Sequence, residues 1–368
     1  MENLKFKSVL IGNRYAENFT LPDFAREDGK FSRKKTLGAI MREEYGVIDE
    51  TGVKITVKVV TDENFDNVRG YFFCEKSKHT ALEFTVEKNG RRSAFVADLF
   101  VPTRVENPDF VVQIDFMKDL PAKYCPVEEL MDGGIAVAHI YYNEITTDDG
   151  DFSSGIAPVL VDRTDEYAAG KLSLWAYAAK IVGEYLLSQG YTSKEKLFVA
   201  GHSRLGKTAL LAAAQYEIFA GCMVNCSGCC GAAISRDKKG ETIKVITSVF
   251  PFWFTPHYKK YADRESEMPF DQHYLMAAVA PRKVMIVAAS EDEWADTDAQ
   301  YLCAEAASAA YKELGLTGLK PIDRPLKTGE KNIGGEISFL IRKGVHFFSR
   351  EDWGFYLESL SNNNKSDT

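Results

Sequence analysis

The segment "FVAGHSRLGKTALLAAAQ", Phe198 to Gln215, places Ser203 between an apolar run and a small-residue run that reads as a helix. A serine hydroxyl becomes a useful nucleophile only when a histidine takes its proton and an acid orients that histidine. Two downstream segments supply candidates. "KVMIVAASEDEWAD" is an apolar run ending in an acidic cluster, of which Asp292 is the preferred acid, with Glu291, Glu293 and Asp296 as competitors that also suit a solvated loop. "GVHFF" carries His346 ahead of the last helical segment. Of the other histidines, His139 sits inside an apolar run and reads as a core residue, and His202 must point away from Ser203. His79 and His257 lack context, and His273 reads as structural rather than site-lining. The serine motif departs from Gly-x-Ser-x-Gly by one place, since Leu205 stands where the second glycine belongs and Gly206 follows. From this segment alone, a chance Gly-x-Ser at a strand end stays an alternative.

The elements that must position these residues are legible from periodicity. "KITVKVV", "GYFFC" and "LEFTVEKNGRRSAFVADLFV" read as early strands, with Asn89-Gly90 calling a tight hairpin. After Asp109 the strands become short and continuously apolar ("FVVQI", "GIAVAHIYY", "LFVA", "KVMIVAAS", "ISFLIR") and alternate with helical segments, as in a parallel sheet covered on both faces. Trp175, Ala178, Ala179, Val182 and Leu186 recur at helical intervals, and Gly190 is the expected stop. The predicted class is therefore α/β: an α/β-hydrolase fold, a three-layer sandwich with a mostly parallel central sheet and antiparallel strands at its N-terminal edge. That fold stands its serine on a sharp strand-to-helix turn and keeps the chain order serine, acid, histidine, which Ser203, Asp292 and His346 obey. No linker or repeat divides the chain, so residues 1–368 are expected to form a single domain. Residues 1–50, which include the helix-like "RKKTLGAIMREEYG", are expected as an extension packed on it.

Composition narrows the function classes. With 45% hydrophobic and 27% charged residues and a formal net charge of -8, the chain reads as a globular protein with no basic face for nucleic acid. No apolar run approaches the ~18 residues of a membrane span. The opening "MENLKFKSVLIGNRY" lacks a secretion signal, so the chain as given reads as cytoplasmic, or as an exported protein if a leader was trimmed. Seven cysteines, four of them crowded at Cys222, Cys226, Cys229 and Cys230, fit reduced thiols better than a disulfide framework.

"GHSRLGK" resembles the glucuronoyl esterases, carbohydrate esterase family 15 of the α/β-hydrolase superfamily, whose hallmark Gly-x-Ser-Arg-x-Gly-Lys carries the displaced glycine. The resemblance continues through "NCSGCCGAAISR", "KGETI", "MPFDQHYLMAAVAPR", "SEDEWAD" and "KGVHFF", roughly from Gly133 to the C-terminus. It implies Ser203 as nucleophile, His346 as general base and Arg204 as an oxyanion donor through its backbone N–H and side chain. Lys207, Glu241 and Trp294 would bind the uronate sugar. Some members keep a histidine-orienting glutamate at the place of Cys226, whereas others use an aspartate at the place of Asp292. A neutral thiol cannot act as that acceptor, so the resemblance favours Asp292 here. The spacing Cys226-x-x-Cys229 alternatively suits a redox or zinc site, but no second ligand pair accompanies it.

The residues point to a serine-type carboxylic ester hydrolase, and the resemblance implies one that cleaves esters of (4-O-methyl-)glucuronic acid on xylan through an acyl-enzyme. A glucuronate ester or glucuronoxylan oligosaccharide is the expected partner, with no metal and no organic cofactor required. An acetyl xylan esterase or other carbohydrate deacetylase with the same triad is the nearest alternative, and a non-catalytic carbohydrate-binding relative is a second.

Overall fold

A computed structural model describes residues 2–60, 76–120 and 122–361; the expected strand "GYFFC" and Cys74 lie outside them. The first strands, β1 (Arg26–Glu27) and β2 (Lys30–Phe31), pair as a small hairpin. The main sheet comprises β3 (Lys54–Val59), β4 (Ser77–Lys88), β5 (Arg91–Pro102), β6 (Asp109–Asp115), β7 (Ile135–Tyr141), β8 (Leu197–His202), β9 (Gly221–Asn225), β10 (Lys283–Ala289), β11 (Lys331–Asn332) and β12 (Ile337–Arg342). Their spatial order is β11-β12-β10-β9-β8-β6-β7-β5-β4-β3. From β12 to β7 all pairings are parallel, and β7-β5, β5-β4 and β4-β3 are antiparallel. This is the expected α/β-hydrolase arrangement. The two-residue strand β11, antiparallel to β12, is an addition that its length and polarity hid from periodicity.

The sheet is covered on both faces because successive side chains of a strand point to opposite sides. In β8, Leu197 and Val199 join one buried cluster, whereas Phe198 and Ala200 join the other. The larger cluster is built with helices α2 (Lys171–Ser188), α3 (Arg204–Gln215) and α4 (Thr297–Glu313), and the smaller with α5 (Arg350–Ser361). Trp175, Ala178, Ala179, Val182 and Leu186 are all buried in α2, and Gly190 follows its end at φ 71°, as the spacing predicts. Asn89 and Gly90 take φ 52° and 76° between the paired residues Lys88 and Arg91, the left-handed pair that a two-residue hairpin needs.

The N-terminal residues contribute to the larger core: Leu10, Tyr15, Phe24 and Tyr45 are buried within it. The expected helix at "RKKTLGAIMREEYG" is α1 (Arg33–Ile40), continued by a wider π-helical turn over Met41–Tyr45. That turn buries Glu44 and Tyr45. The Tyr45 hydroxyl donates to Cys230 O at 3.0 Å, and Gln272 Nε2 donates to the Glu44 carboxyl oxygens at 3.0 and 2.8 Å. Burial raises the Glu44 pKa from 4.5 to about 8, despite hydrogen bonds that favour the anion. The raised value means that the folded state holds this proton more tightly than the unfolded chain. Its contribution is fully present below pH 4.5 and is lost as pH rises through about 8. Glu44→Gln is therefore expected to raise the melting temperature at pH 8.5 more than at pH 5. An equal shift at both pH values in a thermal melt would contradict that assignment.

Candidate active site

Six parallel strands end on one edge of the sheet, where open α/β sheets place their sites. Ser203 follows β8, Cys226 follows β9, Asp292 lies beyond β10 and His346 beyond β12. Ser203 has φ 57° and ψ -124°, a sparsely populated conformation for a non-glycine residue and the mark of a sharp strand-to-helix turn. The glycines around it are required by close approach. A Cβ at Gly201 would lie 2.1 Å from Leu205 O, and one at Gly206 would lie 2.9 Å from Asn225 O. Leu205 itself is buried. The second glycine thus belongs at the position where α3 crosses the end of β9, which accounts for its displacement in the sequence.

His346 Nδ1 lies 2.6 Å from Asp292 Oδ2, while Asp292 Oδ1 accepts from the Ala295 N–H at 3.2 Å. Burial pushes the Asp292 pKa up, but the His346 bond and charge, with the Ala295 N–H, reverse this and leave it below the usual carboxylate value. The competing carboxylates have other environments. Glu291 and Glu293 are exposed, and Asp296 caps α4 and pairs with Arg14 at 2.5 Å. The acid and histidine loops are also tied by backbone bonds, Ser290 N–H to Arg342 O at 2.8 Å and Glu291 N–H to Gly344 O at 2.9 Å.

Several supporting residues carry no local signal in the sequence. Arg342 donates to the carbonyls of Lys343 (2.8 Å), Val345 (2.9 Å) and Phe347 (2.9 Å), and so clamps the turn that carries His346. Its Nε lies 2.7 Å from Asp352 Oδ1, a charge contact without hydrogen-bond alignment. Asp352 in turn accepts from Asn225 Nδ2 at 3.0 Å, and Asn225 Oδ1 lies 2.6 Å from His202 Nδ1. Because the Asn225 amide nitrogen faces Asp352, its oxygen accepts from a protonated His202 Nδ1. Burial lowers the His202 pKa to about 3, so this ring is neutral. It packs against His346 with centroids 4.5 Å apart. Only the positions of Arg342 at a strand end and Asn225 before Cys226 hinted at these roles.

Arg342→Lys keeps the charge but loses the planar fork that bonds several carbonyls at once. It is expected to lower kcat at least about tenfold with a smaller effect on KM, since misplacing a reacting group costs rate before binding. Steady-state kinetics beside a thermal melt check this. An unchanged kcat would deny the clamp a part in positioning His346.

Ser203 and His346 open onto a cleft of about 390 Å³ that Arg204, Lys207, Cys226, Glu241, Trp253 and Trp294 also line. Arg204 begins α3, so its backbone N–H has no intrahelical acceptor. Its guanidinium pairs with Asp148, which also accepts from Trp253 Nε1 at 2.7 Å, and stands 4.7 Å from the Trp253 ring centroid. Arg204 Nε is buried without a protein partner. Nothing local marks Asp148 or Trp253 in the sequence, where Asp148 is one of several acidic residues in "TTDDGD".

Lys207 is buried, and its ammonium donates to Ser227 O at 2.5 Å and Cys229 O at 2.6 Å and lies 3.4 Å from Glu241 Oε2. Its donors are thus engaged by the protein, and it fixes Glu241 beside the cleft. The Glu241 N–H donates to Trp294 O at 3.1 Å, so these two cleft residues are positioned together. Gly240 permits that approach, since a Cβ there would lie 2.4 Å from Glu293 O. The Trp294 ring is half exposed, at 53%.

The remaining histidines lie elsewhere. His139 is buried in β7, and His273 Nε2 bonds to Pro22 O at 3.0 Å, away from the cleft. His79 lies 2.7 Å from Asp98, and His257 Nε2 lies 3.2 Å from Glu43. The six described cysteines are free and buried. Cys226 and Cys229 do not gather further ligands as a zinc pair. Among the described residues, the one group of three metal-ligating side chains is Cys226 with Asp292 and His346.

The family model described as "Glucuronyl esterase, fungi" matches residues 84–315. "Carbohydrate esterase MZ0003", from an unknown prokaryotic organism, is 38% identical over 63% of this chain and 54% of its own length. The 4-O-methyl-glucuronoyl methylesterase of Podospora anserina is 27% identical over 50% of this chain and 40% of its own. The matches thus span about half the length of these relatives. Among solved structures, a glucuronoyl esterase from Solibacter usitatus superposes with TM-score 0.81 at 26% identity, covering 93% of this chain and 97% of that one. A glucuronoyl esterase serine-to-alanine variant from Sporotrichum thermophile, solved with methyl 4-O-methyl-β-D-glucopyranuronate, shares the fold with TM-score 0.60 at 20% identity, covering 79% and 77% of the two chains. With the family model matched over more than half of its residues, the chain belongs to the glucuronoyl esterase family of carbohydrate esterases.

Proposed function

We propose that this chain hydrolyses esters at the C6 carboxyl of glucuronic or 4-O-methyl-glucuronic acid, such as those joining xylan side groups to lignin alcohols. The observation that carries the reading is the composition of one cleft: Ser203 and His346, which Asp292 holds, open beside a Glu241 and Trp294 pair joined through their backbones. Glu241 accepts from sugar hydroxyls, and the indole offers an apolar face to a pyranose ring. The volume is at the small end of the range for small-molecule sites, which suits one sugar ring. The complex from Sporotrichum thermophile supports a methyl glucuronate as the class of ligand.

In the reaction, Asp292 holds the proton of His346 on Nδ1 and leaves Nε2 free to take the Ser203 proton. Ser203 Oγ attacks the ester carbonyl, and the free N–H of Arg204 supports the oxyanion. The unpartnered Arg204 Nε is a further donor, since a buried donor without an acceptor is costly until a substrate oxygen reaches it. His346 then protonates the leaving alcohol, and later draws a proton from water for deacylation.

Steady-state rates on benzyl glucuronate, acetylated xylo-oligosaccharide and p-nitrophenyl acetate test the reading. The expected preference is for benzyl glucuronate. Turnover of the acetates alone would overturn it in favour of a deacetylase, and uronate binding without any turnover would favour a binding protein. Lys207→Ala is expected to cut kcat/KM on benzyl glucuronate at least about tenfold, because a charged hydrogen-bonding group that fixes Glu241 is lost. p-Nitrophenyl acetate, which has no sugar to place, should change much less. Equal losses on both would deny Lys207 a part in sugar recognition.

A further inference from the structure

We propose that Cys226, Asp292 and His346 form a binding site for one thiophilic divalent cation, Zn²⁺ or Cd²⁺, whose occupancy blocks hydrolysis. The ligating atoms of the three side chains all lie within 4.8 Å of one another. His346 is exposed at the cleft that Cys226 also lines, so a hydrated ion meets the imidazole first and the buried thiol after it. The set is chemically suited to such an ion: thiolate, imidazole nitrogen and carboxylate are the zinc ligands of proteins, and three of them with an open fourth position make an accessible site.

The geometry needs small changes. A tetrahedral cation with bonds of about 2.0–2.3 Å holds its ligand atoms roughly 3.3–3.7 Å apart. The 2.6 Å His346–Asp292 contact must therefore open, and the separations to Cys226, each at most 4.8 Å, must settle into the same range. The Cys226 backbone is fixed, with its N–H bonded to Val287 O at 2.8 Å, so the adjustment falls to side-chain torsions. Charge favours the complex, because a dication, a thiolate, a carboxylate and a neutral imidazole sum to zero. A neutral cluster is the form that a partly buried position tolerates.

Binding converts the Cys226 thiol to a metal thiolate with release of one proton to water. The imidazole stays neutral. Its Nδ1 lone pair bonds the cation, and its single proton moves to Nε2. A protonated Nε2 cannot accept the Ser203 proton, so turnover stops without a change at the serine. The blocking effect rests on the function proposed above, whereas cation binding does not.

Titration of the full chain with Cd²⁺ reads the two parts separately, through the ultraviolet thiolate-to-cadmium charge-transfer band and through p-nitrophenyl acetate hydrolysis. The expected result is a one-equivalent band with parallel loss of rate, reversed by EDTA. Cys226→Ser should remove the band and raise the inhibition midpoint, relative to its own uninhibited rate, by more than about tenfold. Even the loss of an outer partner costs 10–100-fold in metal affinity. Asp292→Asn, which keeps every thiol, should weaken the band's midpoint by a comparable factor and guards against a misfolded cysteine variant. Cys230→Ser should change neither. A band that survives in Cys226→Ser at the same midpoint, or no band in the parent chain, would overturn the proposal. If the chain hydrolyses no ester, the band alone still decides whether the site binds.

Discussion

Ser203→Ala is expected to abolish ester hydrolysis, a fall of roughly four to six orders of magnitude to the residual level that oxyanion donors and binding sustain on their own. The change removes only Oγ. Alanine meets the same backbone conformation at φ 57° as serine does, and the turn is held independently by the Ser203 N–H bond to Asn225 O at 2.9 Å and the Lys207 N–H bond to Ser203 O at 3.1 Å. The melting temperature should therefore stay close to that of the parent chain. Activity within about tenfold of the parent on any ester in the panel would mean that a different group attacks.

Asp292→Asn is expected to lower kcat by about 10⁴, with little effect on folding, because it imposes the wrong tautomer on His346. The structure gives a reason for the direction. The Ala295 N–H donates to Asp292 Oδ1, so an asparagine turns its carbonyl oxygen to that donor and its amide NH₂ toward His346 Nδ1. A histidine that must accept at Nδ1 carries its proton on Nε2 and cannot take one from serine. Glu291→Gln provides the contrast, since Glu291 is exposed and makes its loop contact through the backbone. Equal loss in both variants would reassign the acid.

Much of this was legible in the chain because the signals were local. The parallel strands announced themselves as short apolar runs, the Asn89-Gly90 hairpin by its turn residues, and Asp292 and His346 by lying just beyond strands. The displaced glycine was visible as a departure but not explained, since its reason is the backbone of β9 pressed against Gly206, a contact between segments distant in sequence. The same holds for the clamp. Arg342, Asp352, Asn225 and His202 come from four elements, and no spacing links them. Lys207 was legible as a cleft residue, but its engagement by Ser227 and Cys229 carbonyls depends on how the loop after β9 folds back. The π-helical turn at Met41–Tyr45 looks like plain helix in the sequence because its cause is tertiary, the burial of Glu44 and Tyr45 against Gln272 and Cys230.

The proposed reaction puts the sugar on the acyl side of the bond that Ser203 attacks. A xylo-oligosaccharide carrying both an acetyl group and an esterified 4-O-methyl-glucuronate offers the two bonds to the protein in one molecule. The mass spectrum of the first product decides between them. Loss of the uronate's alcohol with the acetyl group still in place is the expected outcome; loss of acetate with the uronate ester intact would put the sugar on the leaving side instead.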